Sequence, residues 1–189
     1  MLLGFAPLAV MTGCSLGDIQ LSNAVGEKIL IKRSTINARK WGLAEAQKII
    51  DSKEKTNFKK WALINYQNCI DGPVPRSPAE CKKDWQWRDY EKTSKEIADL
   101  QEFSKQGLEI RYATFTPIVI DLNGFRRPLP QSRLICGVSE RNPESIQLAS
   151  QVASMAGIST SLSEPSGIDM QRLAKEVCSA SGSPIYGSR

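Results

Sequence analysis

Apolar and polar positions change rhythm along this 189-residue chain, and each change marks a different kind of segment. Residues 1–17 carry no charged side chain, and Met1 to Met11 form an apolar run. That run is shorter than the roughly 20 apolar residues a spanning helix needs, and it fits the apolar core of an export signal. Residues 14–26 are mostly polar and predict a tether. Gly26 to Lys32, with Ile29-Leu30-Ile31 between lysines, predicts a short strand. From Asn37 to Asn68 there is no proline, and apolar residues recur at helical spacing through Trp41, Ala44, Ile49, Ile50, Phe58, Trp61, Ala62, Ile64 and Tyr66. One long helix, or two broken near Lys53–Asn57, follows from that spacing. The proline-rich residues 71–78 end it.

Ser77-Pro78-Ala79-Glu80 places Ser at an N-cap, Pro at the first helical position and Glu at the third. A helix to about Gln106, closed by Gly107, is predicted from there. These segments form a helical hairpin carrying all four tryptophans, Trp41, Trp61, Trp85 and Trp87. Trp85 and Trp87 are two apart and cannot share one helix face, so one should sit at the edge of the packed stripe. After Gly107 the period drops to two. Leu108 to Phe115, Pro117 to Leu122 and Arg133 to Val138 predict strands, with Asn123-Gly124 as a turn and Arg126 to Pro130 as a basic, proline-stiffened segment. Asn142-Pro143 opens a helix that Gly157 stops, Ile158 to Leu162 predicts a further strand, and Ser166 to Ala180 a last amphipathic helix. The predicted fold class is α+β. Residues 1–13 are a signal peptide, 14–26 a tether, 27–107 a basic, Trp-rich helical hairpin region, 108–182 a small β-β-β-α-β-α unit, and 183–189 a tail.

Met11-Thr12-Gly13-Cys14 resembles the lipobox of bacterial lipoproteins, in which an apolar and two small residues precede the cysteine. The resemblance implies cleavage before Cys14 and a diacylglycerol attached to its sulfur as a thioether. Ser15, rather than Asp, follows the cysteine, which in enterobacterial-type sorting implies the outer membrane. The remaining cysteines, Cys69, Cys81, Cys136 and Cys178, are even in number, as expected of two disulfides in an oxidising compartment. Three connectivities are possible, and local context favours Cys69–Cys81 and Cys136–Cys178. A bridge across the turn-rich residues 69–81 is worth about 3 kcal/mol by loop entropy.

Net charge is +5, and its distribution matters more than its size. Residues 27–60 hold ten cations and four anions, a local balance of +6. Lys28, Lys32, Arg33, Arg39 and Lys40 are the candidate residues for an anionic surface. The chain has no histidine, which excludes His-based triads, His general acid–base chemistry and His metal ligands. No GxxxxGK[ST], GxGxxG or GxSxG sequence occurs, and the cysteine spacings match no zinc site. Asp84/Asp89 and Glu96/Asp99 lie among lysines as helix-face ion pairs. Arg126-Arg127 reads as an exposed basic loop.

The expected function is that of a lipid-anchored cell-envelope protein with a non-catalytic binding or assembly role, on the periplasmic face of the outer membrane. No catalytic residue, metal or cofactor is expected. Its partners are the membrane, through the anchor, and envelope proteins; no nucleic-acid motif accompanies the basic segment. The rival reading is a soluble basic phage or plasmid protein that binds nucleic acid or packs in a virion. A third reading, an envelope hydrolase or glycan-binding enzyme, rests on tryptophan content alone.

Overall fold

Two chain segments run antiparallel through both sheets and form the spine of the fold. In a computed structural model, residues 17–139, 142–160, 162 and 164–182 are described. β2 (Lys28–Ile31) pairs with β5 (Pro117–Ile120), and β3 (Asn37–Trp41) pairs with β4 (Ile110–Phe115). Only Thr116 separates β4 from β5, whereas residues 32–36 separate β2 from β3 and include a 3-10 turn over Arg33–Thr35. The ribbon turns a corner there and passes from one sheet into the other. β1 (Ile19–Ser22) and β6 (Arg126–Pro128) complete an antiparallel sheet ordered β1-β2-β5-β6. β7 (Ser132–Val138) completes the second, ordered β3-β4-β7.

The fold is thus mixed α and β, with two small antiparallel sheets. β4 and β7 stand as a wall between two hydrophobic cores. On one side, Ala113, Phe115, Leu134 and Cys136 pack with Ile19, Leu21, Ile29 and Ile31 and with Leu173 and Val177 of α6 (Met170–Ala180). On the other, Ile110 packs with Trp41 and with α1 (Leu43–Glu54), α4 (Trp85–Lys105) and α5 (Pro143–Met155), through Ile50, Leu100, Phe103 and Val152. A strand sends alternate side chains to opposite faces, so one strand can serve two cores. Pairing of β4 with β7 slips between Arg111 and Tyr112, so that Arg111 faces Gly137, Tyr112 faces Ile135, and Cys136 is left as a bulge. The bulge lets Cys136 reach α6, where its sulfur lies at bonding distance, 2.09 Å, from that of Cys178.

The helical region follows the predicted break. Asn57, with φ 52°, separates α1 from α2 (Phe58–Asp71). Ser77 caps the single turn α3 (Pro78–Cys81): its Oγ accepts from the Glu80 N–H, while the Glu80 carboxylate accepts from the Ser77 N–H and hydroxyl. These bonds, the hydroxyl first, hold the Glu80 carboxyl below its usual range. The cap contributes above the ordinary carboxylate range and is lost as pH falls through the lowered value. Cys69 and Cys81 lie 2.04 Å apart at sulfur and clasp α2 to α3. At the start of α6, Asp169 Oδ1 accepts from the N–H groups of Gln171 and Arg172, both at 3.0 Å. Asp169→Ala is expected to lower stability by about 1 kcal/mol in denaturant titration, and Asp169→Asn by less.

Several expectations are corrected. The tether over 14–26 contains β1, because Ile19 and Leu21 alternate with Gln20 and Ser22 and are buried. Residues 37–41 are a strand, not the start of a helix, since pairing with β4 outweighs a helical pattern in which only Trp41 is buried. Trp41 therefore lies outside the hairpin. The helix expected from Pro78 to Gln106 breaks at Lys82–Asp84, where the Arg76–Asp84 ion pair at 2.8 Å holds extended backbone before α4. Arg126–Pro128 is an edge strand, which tolerates proline because its outer N–H has no partner to bond. Residues 158–160 form no strand; Thr160 Oγ1 instead accepts from the Ile135 N–H at 3.3 Å. The β-β-β-α-β-α order is accordingly replaced by β4-β5-β6-β7-α5-α6, and both sheets draw strands from either side of residue 107. The expected signal peptide, Cys14 and the tail 183–189 lie outside the described residues.

Candidate functional site

The outer face of the four-stranded sheet is the surface that gathers the most predicted cations. In β2 the odd residues Ile29 and Ile31 are buried, which turns Lys28, Leu30 and the following Lys32 outward. Register then sets their neighbours. Ser22, Lys28, Ile120 and Arg126 lie in one row across the sheet, and Gln20, Leu30, Ile118 and Pro128 in the next. Leu30, Ile118 and Ile120 are half-buried by one another, while Lys28, Lys32 and Arg126 are exposed around them. No described helix packs on this face. The result is an aliphatic centre with a cationic rim, joined from chain segments about 100 residues apart.

The other predicted residues are placed differently. Arg33 lies at the ribbon corner, where its Nε donates to the Gly17 carbonyl at 2.7 Å and its guanidinium pairs with Glu176 at 3.5 Å. Its backbone N–H donates to Asp18 at 3.3 Å. Arg33 thus fastens the chain where it joins β1. Arg39 and Lys40 lie on β3, the edge of the other sheet, with Lys40 3.4 Å from Glu109. Lys28 and Lys32 are brought together; Arg39 and Lys40 are not part of that face. Arg126 is the residue the basic segment 27–60 omits. The two lysines that flank Ile29-Leu30-Ile31 signal the face, but nothing local signals that β6 joins it.

Two clefts lie at the sheet's flank. One, of about 610 Å³, is lined by Arg127, Ser132, Arg133, Gly157, Ser159 and Glu164. Arg127 pairs with Glu164, and Arg133 donates to the Gly157 carbonyl, so both cations are engaged within the chain. The smaller, of about 410 Å³, shares Arg127 and Glu164 and meets the exposed Phe125. On the hairpin, Phe58, Tyr90, Trp87 and Tyr66 form a continuous aromatic seam, with ring centroids 4.4 to 5.9 Å apart. Trp85 turns outward and is 67% exposed, as the two-residue spacing from Trp87 requires, and Trp61 is 59% exposed. Elsewhere on the hairpin a groove of about 660 Å³ is lined by Phe58, Leu63 and Ile97 together with Glu54, Lys59 and Lys60.

Among the described residues, no group of three or more Cys, Asp or Glu is arranged to hold a metal ion. Among them, too, no helix is long and apolar enough to cross a membrane. The chain matches no family model, no curated protein and no solved structure.

Proposed function

We propose that the protein is a lipid-anchored component of the bacterial cell envelope, fixed by acylation of Cys14, whose folded part binds or helps assemble other envelope proteins without catalysing a reaction. The observation that carries this reading is the pairing of cysteines. Among the described residues, Cys69 lies at bonding distance from Cys81, and Cys136 from Cys178, and Cys14 is the fifth cysteine of the sequence. Pairs of this kind persist in oxidising compartments. The rival reading, a soluble phage or plasmid protein, expects reduced thiols instead.

The helical hairpin supplies the protein-binding surface. Exposed tryptophans, Trp61 and Trp85, are the residue type that concentrates binding energy at protein interfaces. A lipid anchor on one end and this surface on the other suit a tethering or assembly role on the periplasmic face of the outer membrane.

Intact mass of the protein from its native host tests the reading. The expected mass is that of a chain beginning at Cys14, with added acyl groups and two disulfides. Cys14→Ser is expected to move the protein from the membrane fraction to the soluble fraction in high salt. A native preparation that keeps Met1 and carries five free thiols would overturn the proposal.

A further inference from the structure

The place where the chain joins β1 limits how the fold can sit on a bilayer. Gly17 is three residues from Cys14, so the Cα that bears the lipid-carrying sulfur lies within about 11 Å of it even with the chain fully extended. Gly17 is itself held to the ribbon corner by Arg33, which bonds its carbonyl and, through its own N–H, the side chain of Asp18. The corner is therefore kept near the leaflet, at a distance comparable to the Debye length of about 8 Å at physiological salt. The outer sheet face begins at that corner with Lys32 and continues through Leu30 and Ile118 to Lys28, Ile120 and Arg126. The hairpin groove with Lys59 and Lys60 lies elsewhere. It sits on α2 and α4, which belong to the helical side of the β4–β7 wall, opposite the core that β1 and β2 close.

We infer that the outer face of the four-stranded sheet rests on the anionic leaflet that carries the protein's own lipid. Lys28, Lys32 and Arg126 meet phosphate headgroups, and Leu30, Ile118 and Ile120 are shielded between them. The hairpin, with Trp61 and Trp85, is presented to the aqueous compartment. This orientation rests on the lipid anchor proposed above, and charge complementarity selects the face: three exposed cations stand on it, and the nearby Asp18 carboxylate already accepts from Arg33. Each cation near an anionic surface multiplies affinity by about fivefold, and three by about a hundredfold.

Two measurements test it. Full-length Cys14→Ser protein is mixed with phosphatidylglycerol or phosphatidylcholine vesicles at low ionic strength. Lys28→Gln/Lys32→Gln/Arg126→Gln is expected to lower affinity for the phosphatidylglycerol vesicles about a hundredfold, with unchanged circular dichroism. Lys59→Glu/Lys60→Glu is expected to leave it within about twofold. In the second measurement, the acylated wild-type protein is reconstituted into vesicles with brominated acyl chains. Its tryptophan fluorescence is expected to resist bromine and to yield to aqueous acrylamide. Quenching by bromine, or equal loss of binding in the hairpin variant, overturns the orientation. Those outcomes in a protein whose mass shows acylation leave the anchor standing. A mass without acyl groups sinks the anchor itself.

Discussion

Phe103→Ala is expected to destabilise the protein by about 3–5 kcal/mol, read as a lowered denaturation midpoint with a little-changed slope. Phe103 is fully buried on α4 and meets Trp41 edge-on, with ring centroids 5.4 Å apart. Truncation removes the aromatic pair, worth about 0.5–1.5 kcal/mol beyond area, and leaves a void among Leu100, Ile110 and Val152. These neighbours come from helices and from the central strand, so collapse around the void requires several elements to shift together. Typical domains are stable by about 5–15 kcal/mol, so this one change removes a large share. Trp85→Ala provides the contrast. Its ring is exposed, and a change within about 0.5 kcal/mol is expected. A loss below about 1 kcal/mol for Phe103→Ala would contradict the packing described.

The second large effect is expected from Cys136→Ala/Cys178→Ala. The bridge closes a loop with a sequence separation of 42, for which loop entropy gives about 4 kcal/mol. The Cys69–Cys81 bridge, with a separation of 12, gives about 3 kcal/mol by the same relation. The difference in place reinforces the difference in loop. Cys136 and Cys178 are both buried and join α6 to the wall shared by the two cores, whereas the other bridge ties α2 to a single helical turn. The Cys136/Cys178 variant is therefore expected to lose α6 and β1 protection in hydrogen exchange, while the Cys69/Cys81 variant loosens residues 69–84 alone. Equal protection loss at both places would refute this division.

Much of the fold was legible from local pattern. The period-two run at residues 110–115 and the caps at Ser77 and Asn142 act within a few residues, and the structure has them as expected. β1 and β3 were not legible, because each is short and gains its backbone bonds from partners far along the chain. The Asn123-Gly124 turn illustrates a partial reading. A turn forms, but the five-residue connection is organised by Asp121, whose carboxylate accepts from the N–H groups of Asn123 and Phe125. The same logic governs the candidate surface. Basic residues close in sequence were grouped together, yet strand alternation turns Lys28 and Lys32 to one face, and the corner sends Arg39 and Lys40 to another sheet. Arg126 arrives through β5–β6 pairing, which no local spacing encodes.

The placement of Arg39 and Lys40 has a different consequence. Among the described residues β3 ends its sheet, and Asn37 to Lys40 are all exposed there, so its outer backbone groups have no described strand to pair with. A bare edge of this kind is a template on which another copy can add a strand and seed aggregates. Two adjacent cations make such pairing between identical copies a like-charge encounter. β6 ends its own sheet with Arg126, Arg127 and Pro128, where repulsion is joined by a residue that cannot donate to a ladder. At both edges these side chains disfavour strand addition between identical copies.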